Sequence, residues 1–273
     1  MDRERPACRW GADGRLDALP LWSDAVALKF ATPDSANVPP PRLALLSEWP
    51  RAAWGLGRLI AEWKTLDGVP RGDGHPVILL PGLVNSDRSN FVMRRYLNRL
   101  GYRAEGWDLG RNLGVRAIGP EGERLMARIA ALHEETGEKV TLIGISLGGI
   151  MARIAAHRHP ELVREVITIS SPFAGPPTCT NVWRQFEWLT GEKIDDPAVS
   201  ARLKEAARPL PVPATAIWSR NDGLVNGLIC REPEGSPGRA IEISSSHLFV
   251  QMRPEVLRAV AQTLGGQSGS EAR

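Results

Sequence analysis

Between residues 139 and 159 the chain passes from strand to helix with no loop in between. Lys139 to Ile145 is an apolar run of strand length, and Leu147 to His159 has the length of a helix, stopped by Pro160. The junction is one residue, Ser146, inside Gly144-Ile145-Ser146-Leu147-Gly148. A backbone can turn that sharply only at strained angles. Side chains two residues before and two after the serine would strike the neighbouring strand and helix, so glycine is required there; Gly149 adds clearance. The turn also puts Ser146 at a helix N-terminus, whose free N–H groups favour developing negative charge.

The rest of the chain from residue 75 alternates in the same way. Strands are expected at Val77–Leu80, Tyr102–Trp107, Val163–Ile169, Ala214–Trp218 and Ala240–Ile243. Helices are expected over Asp87–Leu100, Glu121–Glu135 and Pro254–Leu264, with Gly101 and Gly137 closing the first two. This alternation predicts an α/β architecture: a mostly parallel central sheet with helices on both faces. Residues 172–209 interrupt it with Pro172, Pro176 and Pro177, then a helical piece carrying Trp183, Phe186, Trp188 and Leu189. Its position after the strand that follows the Ser146 helix suits a helical lid.

The main domain therefore spans 75–265, with an N-terminal extension over 1–74 and a disordered tail over 266–273. Residues 1–41, with Pro39-Pro40-Pro41, read as an irregular surface segment. A helix follows, with Ser47 as its cap and Pro50 in its first turn. Trp49, Ala52, Leu56, Leu59 and Trp63 form one stripe, with Arg51, Arg58 and Glu62 opposite. This reads as a helix packed on the core. Its polar face is too mixed in charge to favour a membrane surface, so lipid contact is only a weak expectation.

Composition narrows the function. A net charge of +3 without a dense Lys/Arg block argues against nucleic acid as a partner. Cys8, Cys179 and Cys230 are odd in number and widely spaced. That suggests neither a disulfide framework nor a zinc site, and reduced thiols are the default over a Cys179–Cys230 bridge. No apolar signal region follows Met1 and no stretch is apolar enough to span a bilayer, so a cytoplasmic location is expected.

A serine hydroxyl needs a base, and the base needs an orienting acid. Of the five histidines, His75 precedes the first strong strand, His133 sits near a helix end, and His157 and His159 close the Ser146 helix. His247 alone lies between a late strand and the last helix, and is the expected base. Asp222, in Ser219-Arg220-Asn221-Asp222-Gly223, is the expected acid; Asp195 and Asp196 are rivals inside the insertion. Two backbone N–H groups should hold an oxyanion: that of Leu147, after the nucleophile, and that of Leu83, in the loop Pro81-Gly82-Leu83-Val84-Asn85. The expected substrate pocket holds Val84, Phe173, Trp183, Phe186, Trp188 and Leu224.

Several segments together resemble the α/β-hydrolase superfamily and its bacterial lipase and esterase-like branch. They are His75-Pro-Val-Ile-Leu-Leu-Pro-Gly-Leu83, the Gly144–Gly149 turn, Ile167-Thr-Ile-Ser-Ser-Pro-Phe173, Ser219-Arg-Asn-Asp222 and Ser246-His247. Gly101 to Asn112 looks like a little-characterised bacterial group of such hydrolases. The resemblance implies an eight-stranded, mostly parallel sheet, a Ser-Asp-His triad, and no metal or organic cofactor. Many lipases carry His-Gly where this chain has Pro81-Gly82, and residues 1–74 match nothing assignable. The expected activity is cleavage of small acyl esters through an acyl-enzyme on Ser146. Acyl transfer or thioester hydrolysis by the same triad is the alternative, and a non-catalytic binding protein a lesser one. Oligomeric state is not legible.

Overall fold

The computed structural model describes residues 38–66 and 68–267. Cys8, most of the expected surface segment and the tail from residue 268 lie outside the described residues.

Six strands form one sheet: β1 (Pro76–Leu80), β2 (Arg103–Gly106), β3 (Val140–Ile145), β4 (Val163–Ile169), β5 (Ala214–Trp218) and β6 (Arg239–Glu242). Their order is β2-β1-β3-β4-β5-β6, and every pairing is parallel. The helices are α1 (Arg42–Leu46), α2 (Glu48–Glu62), α3 (Phe91–Leu100), α4 (Val115–Ile118), α5 (Glu123–Thr136), α6 (Leu147–Arg158), α7 (Trp183–Thr190), α8 (Pro197–Ala207) and α9 (Pro254–Gln267).

The strands are apolar on both faces because both faces are covered. Val77 and Leu79 point into the layer that holds α3 and α9, joined there by Ile143, Ile169 and Ile217. Ile78 and Leu80 point the other way, into the layer of α5 and α6, with Val140 and Leu142. Each such fully buried aliphatic side chain contributes roughly 1.5–3 kcal/mol.

Among the described residues the sheet has two strands fewer than the eight that the resemblance implies, and none runs antiparallel. Among the described residues ahead of β1 the regular elements are helical, α1 and α2. The outer edge of β2 is closed by a side chain: Asn98 Nδ2 donates to the Ala104 carbonyl at 2.9 Å and Asn98 Oδ1 accepts from the Ala104 N–H at 3.0 Å. One amide thus satisfies the edge that another strand would otherwise pair.

Helix α3 starts at Phe91, later than the pattern suggests, because Asp87 is used elsewhere. Its carboxylate accepts from the N–H groups of Trp107 and Asp108, at 2.9 and 3.1 Å. The short α4 has no clear signature in the sequence. Gly266 and Gln267 continue α9 rather than opening the tail.

The N-terminal helix forms and packs on the core, with Ala52 and Leu59 of the expected stripe buried. Glu48, Ala52, Gly55 and Leu59 are its buried stripe, while Trp49 is exposed. Ser47 does not cap it. Its hydroxyl donates to the Ala44 carbonyl at 2.7 Å, because α1 runs into α2 and leaves Ser47 in helical conformation. The presumed outer face is engaged as well: Glu62 accepts from Arg58 and from Arg258 of α9.

Candidate active site

The order of the sheet determines where chemistry can occur. The connection that leaves β1 leads to β2 on one side, and the connection that leaves β3 leads to β4 on the other. The crevice beyond the C-terminal ends of β1 and β3 is therefore the topological switch point. Leu80 pairs with Gly144 across these strands, so the loop after β1 lies beside Ser146.

Ser146 has φ 51° and ψ −118°, outside the ordinary regions for a residue with a side chain. The glycines around it are dictated by close approach. A Cβ on Gly144 would lie 2.3 Å from the Gly149 Cα, and one on Gly148 would lie 2.4 Å from the Leu80 carbonyl oxygen. The Ser146 N–H donates to the Ile169 carbonyl at 2.9 Å, which ties the turn to β4.

Beyond Ser146 stands Leu147, the first residue of α6, whose N–H has no partner within the helix. Across the crevice the loop 81–85 is shaped by a residue that the sequence reading did not single out. Asn112 is fully buried. Its Nδ2 donates to the Pro81 carbonyl at 2.7 Å, its carbonyl accepts from the Val84 N–H at 2.8 Å, and its N–H donates to the Asn85 carbonyl at 2.8 Å. Between these anchors Val84 takes φ 58°, an outlier for a β-branched residue. Gly82 lies against Ser146: a Cβ there would be 3.4 Å from the serine Cβ. The N–H of Leu83 thus sits in a clamped loop at the side of the Ser146 turn. Asn112 carries no local signature, since its partners are 27 to 31 residues away.

Asp222 and His247 are joined. His247 Nδ1 meets Asp222 Oδ2 at 2.7 Å, and Asp222 is 2% exposed. The other carboxylate oxygen, Oδ1, accepts from the N–H groups of Leu224 and Val225, each at 2.9 Å. The loops that carry the pair leave adjacent strands, β5 and β6. Ser219 stitches them together: its hydroxyl donates to the Ser245 carbonyl at 2.9 Å and accepts from the Ser245 N–H at 3.0 Å. Burial works against a charge on His247, but the Asp222 carboxylate, its hydrogen bond, and Glu48 behind it outweigh that cost. The net effect raises the imidazole above its ordinary value of 6.5. With Nδ1 engaged by Asp222, Nε2 is left to accept a proton. Among the described residues Asp222 is the hydrogen-bond partner of the His247 ring, and no hydrogen bond joins that ring to Ser146 Oγ.

The other histidines are occupied elsewhere. His75 is buried between Asp73 and Thr141, His133 meets the Glu138 carbonyl, His157 the Arg208 carbonyl, and His159 Glu161. Asp196 caps α8 by accepting from the Ala198 N–H at 2.7 Å, so it is a helix cap rather than a rival acid.

A cavity of about 150 Å³ opens at Ser146, Leu83 and Leu147. Trp183 and Phe186 of α7 line it, as expected, and so does Val225. Four residues of the expected pocket do not line this cavity. Phe173 is buried beneath the Arg153 guanidinium, 3.8 Å from its ring centre. Leu224 packs into the separate cluster around Trp218 and Ile229. Trp188 is 82% exposed on the outer side of α7, and Val84 is turned outward by its loop. Their places are taken by Met126 of α5 and Ile150, Met151 and Ile154 of α6, with Leu203 of α8. Cys179 and Cys230 are buried free thiols in the Trp218 cluster, not a disulfide.

The chain has the α/β-hydrolase fold, a parallel sheet with a serine turn at its switch point, here with six strands among the described residues. A family model described as the alpha/beta hydrolase fold matches residues 127–206, which hold α6 and the serine turn. The mature form of a lipase from Bacillus licheniformis superposes with a TM-score of 0.53 at 19% identity, covering 72% of this chain and 94% of that one. A monoacylglycerol lipase from Paleococcus ferrophilus gives 0.52 at 19% identity, covering 72% and 96%. By sequence, the chain is 35% identical over 112 residues to a triacylglycerol lipase of Pseudarthrobacter phenanthrenivorans, covering 37% of this chain and 34% of that protein. The chain thus spans about a third of the length of this curated relative.

Proposed function

We propose that the chain hydrolyses carboxylic esters through an acyl-enzyme on Ser146. The observation that carries this reading is the buried Asp222–His247 pair at 2.7 Å, at the sheet edge where a strained Ser146 opens onto an apolar cavity. The lipase names of the relatives support the ester as substrate.

His247 Nε2 takes the Ser146 proton as Oγ attacks the carbonyl carbon, and the carbonyl π electrons move onto oxygen. The N–H groups of Leu83 and Leu147 stabilise that oxyanion. Asp222 fixes the His247 tautomer and stabilises the imidazolium. The imidazolium gives its proton to the leaving alcohol as the C–O bond breaks. Water, deprotonated by His247, then releases the acid and restores Ser146. Helices α7 and α8 act as a lid over the acyl group. An apolar cavity of this volume holds a group about the size of benzene, which favours acyl chains of about four to eight carbons.

A fluorophosphonate probe tests the nucleophile. Wild-type protein should label and turn over p-nitrophenyl butyrate, and Ser146→Ala should do neither. Labelling that survives Ser146→Ala would remove the assignment.

A further inference from the structure

Helix α2 reaches the proposed acid–base pair from the N-terminal segment, and it does so with two charged side chains one turn apart. Glu48 is 1% exposed. Its Oε1 accepts from the Gly223 N–H at 2.8 Å and its Oε2 from the Leu248 N–H at 2.9 Å. Each of those residues directly follows a member of the pair. Arg51 binds the complementary groups: its guanidinium donates to the Asn221 carbonyl at 2.6 Å and to the Ser245 carbonyl at 2.5 Å. The carboxylate thus takes two donors and the guanidinium two acceptors, one from each loop in both cases. Glu48 and Arg51 themselves lie 3.7 Å apart.

The contact is close enough to constrain the sequence around Asp222. A Cβ on Gly223 would lie 2.4 Å from the Ala44 carbonyl oxygen, so α1 sits on the Asp222 loop with room only for glycine. Arg253, ahead of α9, donates to the Arg51 carbonyl at 3.2 Å and holds the base of the clasp.

A buried carboxylate beside a second one is an expensive arrangement. Burial and the Asp222 charge push Glu48 above the ordinary carboxylate range, while the two N–H donors and His247 pull it down. An apolar side chain would fill the space at less cost. It would leave two buried N–H groups without partners and remove a negative charge facing the imidazole.

We propose that Glu48 is a positioning residue for the acid–base pair: it holds the Asp222 and His247 loops in register and adds a second negative charge behind the imidazolium, while Arg51 closes the same clasp on the carbonyl side. This rests on Asp222 and His247 being the acid and base proposed above. The charged groups that act on the imidazole are Asp222 and Glu48; Arg51 in turn faces Glu48 and Asp222, the Cys230 thiol faces Asp222, and Arg253 faces Arg51.

The test compares full-length wild type, Glu48→Gln and Glu48→Asp. The His247 titration is followed by NMR of the imidazole, with kcat and KM on p-nitrophenyl butyrate and thermal melting alongside. Removing the charge in Glu48→Gln should lower the His247 midpoint by about half a pH unit or more. It should lower kcat about tenfold with KM within about threefold, and move the acid limb of kcat/KM down with the midpoint. Glu48→Asp keeps the charge but shortens the reach, so its midpoint should stay near wild type while kcat falls. A residue that only stabilised the fold would lower the melting temperature and leave midpoint and kcat unchanged in the folded protein; that result overturns the proposal. If Glu48→Gln does not fold, Glu48→Asp decides: reduced kcat supports the proposal and wild-type kcat overturns it. Wild type that turns over no ester would remove the hydrolase reading, and the NMR midpoint would still decide whether Glu48 acts on His247.

Discussion

Asp222→Asn removes a charge without changing shape, and the structure determines how the new amide must sit. In wild type Oδ1 accepts two N–H donors, from Leu224 and Val225, at 2.9 Å each. An amide nitrogen turned toward those donors would leave three N–H groups facing one another. The asparagine oxygen must therefore take the Oδ1 place, which puts its NH2 group at the Oδ2 place, 2.7 Å from His247 Nδ1. An NH2 group there demands a lone pair on Nδ1. The proton then moves to Nε2, the atom that must accept the Ser146 proton, so the base is held in the wrong tautomer. In serine proteases the same change costs about 10⁴ in kcat, or about 5.5 kcal/mol of barrier; we expect a similar loss here. The melting temperature should change by only a few degrees, because the two backbone bonds to Oδ1 survive. The assay is kcat and KM on p-nitrophenyl butyrate, with the rate of fluorophosphonate labelling as a second measure. Activity within tenfold of wild type in a folded Asp222→Asn protein would refute this reasoning.

Two further predictions concern packing and charge. Gly148→Ala places a methyl 2.4 Å from the Leu80 carbonyl oxygen and 2.7 Å from that of Pro81. Backbone must move to admit it, so we expect about 3 kcal/mol of destabilisation in denaturant unfolding together with loss of turnover, because the displaced strand carries the oxyanion loop. Glu165, at the opposite end of the sheet, is 1% exposed with Oε1 unpartnered among the described residues, and burial pushes its carboxyl from an ordinary 4.5 up to about 7. An acid raised in the folded state holds its proton more tightly there, so stability is full below the ordinary value and is lost as pH rises toward 7. The shift corresponds to about 3 kcal/mol, and Glu165→Gln should raise the melting temperature by several degrees at about pH 8 and hardly at all at about pH 4. Equal changes at both pH values would show that folding does not raise the Glu165 carboxyl above its ordinary value.

The parts of this fold and site that were legible in the sequence are those whose causes are local. Apolar runs such as Val77–Leu80 are strands because a sheet covered on both faces takes apolar side chains on both. Gly101 and Gly137 end α3 and α5 because each takes a positive φ, 105° and 70°. The serine turn declares itself because its glycines answer to neighbours only a few residues away, and chain order alone brings forward Asp222 and His247. The errors fall where partners are distant. On the Glu48 helix hydropathy favours burying Trp49, whereas two backbone N–H groups 175 and 200 residues away make Glu48 the buried residue. Asn112 shaping the loop 81–85 and Phe173 turned beneath Arg153 are likewise long-range.

The amino-acid order by itself determined the alternating elements, the parallel sheet and the chemistry of the three proposed site residues, since propensity, apolar periodicity and turn sterics act over one or two turns of chain. Only the tertiary structure decided the number of strands, the walls of the cavity and the clasp of α2 on the acid and base loops. Those features depend on which buried donors and acceptors meet, and a hydrogen bond across two hundred residues leaves no pattern in the chain that makes it.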